Sequence, residues 1–120
     1  MKLLSNIRAK FGVVDKHAFY EGKILREVEW WISWAALPDL SWARLRVFSD
    51  GSADAAFDES TVDGFNDRKY AGYFLGEDEY SPISELEDED KKRLPAELAA
   101  LSPPSWSDTD AAKFTYLGEY

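Results

Sequence analysis

The chain has 120 residues, 23 acidic against 14 basic, a net charge of −9 and no cysteine. That length suits one domain able to bury a core without staples, and the lack of cysteine removes disulfides, thiolate metal sites and a cysteine nucleophile. A hydrophobic fraction of 45%, with 15% aromatic residues, excludes a wholly disordered chain.

The charge is unevenly spread. Residues 1–49 carry a net +3, residues 50–90 a net −12, and residues 91–120 balance to zero. An acidic middle disfavours nucleic acid and anionic lipid as partners and suits a basic protein.

In chain order, the opening MKLLSNIRAKFG places Leu3, Leu4, Ile7 and Phe11 at helical spacing, with Gly12 as a stop. Its apolar run is too short for the centre of a signal peptide, and no stretch approaches the length of a membrane span. These features predict a cytoplasmic protein. From about Tyr20 to Leu37 the periodicity predicts an amphipathic helix, ended by Pro38. At 100° per residue, Ile24, Leu25, Val28, Trp31, Ile32, Ala35 and Ala36 share one arc. Trp30 and Trp34 fall on the polar arc with Lys23, Arg26 and Glu27. If the segment is instead a strand, Val28, Trp30, Ile32 and Trp34 share a face.

RLRVFSDGSADAAFD alternates on both sides of Asp50-Gly51, a strong hairpin signal. A three-residue turn there is expected to set Val47 against Ala55, Leu45 against Phe57 and Arg44 against Asp58. RKYAGYFL, residues 68–75, reads as an aromatic strand with Gly72 as a bulge point, and KFTYL, residues 113–117, as a late strand. Ser81-Pro82 predicts the start of a short helix near 82–93, with Ser84–Glu87 as a competing capping box. Acids fill its first turns, and Lys91, Lys92 and Arg93 its last, the order that the helix dipole favours. Ser102–Asp108, with Pro103-Pro104, reads as a loop. The fold class expected is therefore α+β: a small antiparallel sheet packed by the 20–37 helix, in a single domain over residues 1–120.

No catalytic constellation stands out. His17 is the only histidine, and no serine sits in a nucleophile-elbow pattern. The nitrogen and sulfur ligands of a zinc site are lacking. Neither Asp50-Gly51-Ser52-Ala53-Asp54 nor Glu87–Asp90 has the spacing of a calcium loop, and no glycine-rich phosphate loop is present. The expectation is a non-enzyme without cofactor or metal.

Two features point to binding instead. Helix stability accounts for the charges of residues 84–93, but not for Glu77, Asp78 and Glu79 before them. Trp30 and Trp34 on a polar arc fit an interface, where tryptophan is enriched. The partner-binding residues expected are thus Glu77, Asp78, Glu79, Glu87, Asp88, Trp30 and Trp34. In composition alone (small, acidic, free of cysteine) the chain is similar to bacterial immunity proteins and other inhibitors of basic toxins. This resemblance implies neutralisation of a basic protein partner. Two other readings stand beside it: a small-ligand pocket lined by Trp30, Trp34, Trp42 and Tyr70, and a nucleic-acid mimic.

Overall fold

The computed structural model describes residues 15–36, 39–92, 94, 101–106 and 112–120. The helix expected over residues 2–11 lies outside them. The elements described are α1 (Lys16–Tyr20), β1 (Leu25–Ser33), β2 (Ser41–Phe48), β3 (Ala53–Ala56), β4 (Thr61–Phe65), α2 (Arg68–Glu77), β5 (Ser81–Pro82), a 3-10 turn (Ile83–Glu85), α3 (Asp88–Lys92) and β6 (Lys113–Gly118). The α+β class expected from the sequence is the class observed. Six strands form one sheet in the order β5-β1-β2-β3-β4-β6. Neighbouring strands are antiparallel except β4 and β6, which run parallel, so the sheet is mixed rather than antiparallel throughout.

Two expected elements exchange character. The helix foreseen over 20–37 is mostly β1. Burial in this segment changes along its length, exposed from Leu25 to Val28 and buried from Trp31 to Ser33, rather than around an axis. Its Val-Glu-Trp-Trp-Ile composition suits a pleated, half-buried surface, and pairing from Leu25–Phe48 to Ser33–Ser41 outweighs the accidental helical arc. Conversely, the strand foreseen over 68–75 is α2. Asp67 caps it, its carboxylate accepting from the Tyr70 N–H at 3.1 Å. Tyr70, Ala71, Phe74 and Leu75, three and four residues apart, form its inward stripe.

The helix ends in a Schellman motif. The Tyr80 N–H donates to the Leu75 carbonyl at 3.1 Å and the Glu79 N–H to the Gly76 carbonyl at 3.0 Å. Glu79 holds the left-handed position, φ 68°, that glycine usually takes.

The Asp50-Gly51 hairpin forms with a three-residue turn, Gly51 at φ 89°. Its register differs by two residues from the one expected. Val47 faces Ala53, Leu45 faces Ala55 and Arg44 faces Ala56, because a turn of Ser49, Asp50 and Gly51 leaves Phe48 and Ser52 to close it. The expected helix near 82–93 is broken. Ser81-Pro82 is extended and pairs with β1, and only Asp88–Lys92 is α-helical. The Ser84–Glu87 capping box does not form. Asp90 instead reaches back, its carboxylate accepting from the Glu87 N–H at 3.1 Å. Acids do fill the first turn of α3, with Lys91 and Lys92 in the last.

The sheet buries both faces differently. On one, α2 lies over Trp31, Ala43, Leu45, Ala55 and Phe65. The alanines of β2 and β3, with Ala71 of the helix, let the two layers approach closely. On the other, α1 brings Phe19 and Tyr20 against Phe48 and Phe114, ring centroids 5.2–6.3 Å apart. Gly64 makes room there: a Cβ on it would meet Phe114 Cζ at 2.9 Å and Phe19 Cε1 at 3.1 Å.

A polar network sits within this second face. Arg46 Nη2 and Nε donate to the two Asp54 carboxylate oxygens at 2.6 and 3.0 Å, and the Tyr20 hydroxyl donates to Asp54 Oδ2 at 2.6 Å. Burial, then the neighbouring Asp54 carboxylate, pushes the Tyr20 phenol well above its ordinary value. The consequence is alkaline. Above about pH 10 the unfolded chain sheds a phenolic proton that the folded chain retains. The stability due to Tyr20 is therefore full below that pH and is lost as pH rises toward the raised folded value. Urea melts over an alkaline series should show a decline shallower by one proton in Tyr20→Phe. An unchanged slope would mean that the fold does not hold this proton.

Candidate functional site

The acidic residues picked out from the sequence belong to three stretches of surface. Glu77 ends α2, Asp78 and Glu79 follow it in the Schellman turn, Glu87 precedes α3 and Asp88 begins it; all five are exposed. β5 ties these stretches to the sheet, because Ser81 and Pro82 pair with Ile32 and Trp31 of β1. That pairing brings in acids the sequence reading did not select. Arg68 Nε and Nη2 donate to the two Glu29 carboxylate oxygens at 2.6 and 2.7 Å. This bond chiefly, with the negative charges of Glu29, Glu85 and Glu27 adding to it, holds the Arg68 guanidinium more firmly protonated. Trp31 Nε1 also donates to Glu29, at 3.2 Å. Glu27, Glu29 and Glu85 thus gather around one arginine at the β1–β5 edge. Sequence spacing had no means of finding this group, since Glu85 reaches it only through the two-residue strand β5.

Glu77 accepts a hydrogen bond of 2.6 Å from the Tyr120 hydroxyl, which fixes one carboxylate of the outer group. The same hydrogen bond chiefly, with the nearby negative charges of Glu77 and Asp78 adding to it, raises the Tyr120 phenol.

The two tryptophans do not form the helical pair expected. Trp30 lies on β1 with its side chain on the α1 face of the sheet, half-buried, its ring edge-on to Trp42 at 6.0 Å and to Trp106 at 5.2 Å. Trp34 follows the end of β1 and is also half-buried. Nor do Trp30, Trp34, Trp42 and Tyr70 converge on one pocket. Tyr70 packs with α2 on the opposite face of the sheet, its hydroxyl donating to Glu119 at 3.2 Å.

A cleft of about 290 Å³ lies elsewhere, at the sheet end beside the hairpin turn, lined in part by Phe19, Lys23, Asp50, Ser52, Asn66 and Tyr116. Its polar groups engage one another. Lys23 Nζ donates to Ser52 Oγ at 2.9 Å and pairs with Asp50 at 3.5 Å, and the Tyr116 hydroxyl donates to Asn66. Lys23 also lies 3.5 Å over the Phe19 ring. His17 is exposed on α1. Among the described residues no three His, Cys, Asp or Glu are placed to hold a metal ion, and no helix is long and apolar enough to cross a membrane. No protein-family model matches the chain, and neither curated proteins nor solved structures give a significant match.

Proposed function

We propose that the chain is a non-enzymatic protein-binding module that seats a basic protein on its acidic β1–β5 side, as an inhibitor of immunity type would. The observation that carries this reading is Glu79. A left-handed backbone costs an L-residue roughly 1–2 kcal/mol, and glycine would relieve it. A carboxylate stands there nonetheless, exposed, between Asp78 and the strand that leads to the Glu27, Glu29 and Glu85 group. Strain of this kind concentrates at functional positions. A surface with an excess of negative charge speeds encounter with a basic partner and rejects acidic ones.

Stopped-flow association with a small basic protein, such as cytochrome c, tests the reading across a salt series. Association is expected to slow as salt rises. Replacing Glu77, Asp78 and Glu79 together with Gln, Asn and Gln should slow it further at low salt. Glu79→Gly alone should slow it as well, while raising stability in urea melts by up to about 1 kcal/mol. Association that is absent, or indifferent to both salt and the substitutions, would overturn the reading.

A further inference from the structure

The N-terminal half of β1 projects beyond the core. Every residue from Ile24 to Val28 is exposed, with Ile24 at 65%, Leu25 at 40% and Val28 at 45%. β2 pairs along one side of it. On the other side β5 pairs with Trp31 and Ile32, and the 3-10 turn that follows from Ile83 still touches β1. Among the described residues, Leu25–Glu29 has no ladder on that side. Pro82 carries no N–H, so Ile32–Ser81 is the β5 pair able to exchange two hydrogen bonds. Strand alternation then turns the N–H and C=O of Trp30 and Val28 to this side as well; Trp30 lies opposite Ile83 of the 3-10 turn, and Val28 lies on the open part of the edge.

An open edge is a template for another strand, and the side chains around this one select which strand. Glu27 and Glu29 stand on one face of β1 and Val28 on the other. Glu85 adds its charge beside Arg68. Two copies of this chain pairing edge to edge would bring Glu27 and Glu29 against their own kind, which is unfavourable. A strand alternating basic and apolar residues would instead meet the carboxylates with one face and Val28 with the other.

We propose that the β1 edge takes up an extended, basic segment of a partner protein by strand addition, with main-chain bonds to Val28 and cations toward Glu27, Glu29 and Glu85. The inference rests on the acidic-surface reading above and names how the partner is held.

The probe is a fluorescein-labelled peptide of alternating lysine and valine, about six residues long to match an ordinary strand, titrated with the full chain and followed by anisotropy. Two further peptides carry N-methyl groups on alternate residues, one in each frame, which keeps the charge and removes main-chain donors. A fourth alternates glutamate and valine. The lysine peptide should bind and the glutamate peptide should not. At least one methylated peptide should bind about tenfold more weakly, since it loses the main-chain bonds that give strand addition its affinity. Glu27→Lys should weaken the lysine peptide by a similar factor. Equal affinity for the methylated and unmethylated peptides would overturn strand addition and leave the acidic-surface reading standing. So would failure of the lysine peptide while the basic protein still associates in a salt-dependent way. Self-association of the chain in sedimentation, without peptide binding, would assign the edge to a second copy and overturn the proposal.

Discussion

Asp54→Ala is expected to cost about 3–5 kcal/mol, a large share of the total stability of a domain of this size. Asp54 is wholly buried (0% exposed), and the Arg46 side chain that clasps it is 7% exposed. The charge-assisted bonds of this pair replace water that neither group can reach. Removing the carboxylate takes two charge-assisted bonds from the buried Arg46 guanidinium and the acceptor from the Tyr20 hydroxyl. Urea melts measure the loss. The pair itself adds little over apolar packing, so Arg46→Met with Asp54→Leu should fall much closer to the parent than Asp54→Ala does. A single substitution costing less than about 1 kcal/mol would mean that water enters this face and takes the place of the carboxylate beside Arg46.

Trp31→Ala is expected to cost about 3–5 kcal/mol, as the truncation of a buried large aromatic does. Trp31 is 6% exposed and belongs to the core cluster beneath α2, with Leu45, Phe65 and Leu75. Its indole N–H also steadies Glu29, the carboxylate that holds Arg68. Two effects therefore arrive together: a cavity under the helix and a loosened ion pair at the β1–β5 edge. Trp34→Ala, three residues later and beyond the ladder, should cost only about 1 kcal/mol. Denaturant melts of the two variants compare them directly, and equal losses would place Trp34 in the core as well.

How much of this was legible depends on which interactions decided each element. The hairpin at Asp50-Gly51 and the late strand at 113–117 were readable because turn chemistry and alternation are local. So was the arrangement of charges in Asp88–Lys92. The α2 helix was misread as a strand because its aromatic residues outweighed a periodicity that was present: Tyr70 with Phe74 and Ala71 with Leu75 are both four apart. β1 was misread as a helix for a deeper reason. Val28 and Ile32 fall on one helical arc by coincidence of spacing, and only the ladder to β2 removes the ambiguity. The same misreading misplaced the tryptophans. Trp30, expected on an open polar arc, is half-covered by Trp42 from the neighbouring strand and Trp106 from a distant loop. Of the acidic surface, Glu77–Glu79 and Glu87–Asp88 could be chosen by their density. Glu27 and Glu29 could not, because they join the others only through a two-residue strand that no pattern announces.

The strand order has a consequence for how the native state comes apart. β1 to β4 are joined in sequence and paired in sequence, whereas β5 and β6 arrive from later in the chain and attach at opposite rims. β2 and β3 have a ladder on either side, so their amides should exchange with solvent only when the whole domain opens. β5 is held to β1 by two residue pairs. Its release needs no disturbance of the meander, and it would free the edge of β1 through Ile32. The β1 edge can therefore lengthen by partial opening at a cost well below that of global unfolding, so its reach toward an incoming strand is set by a local equilibrium rather than by the fold as a whole.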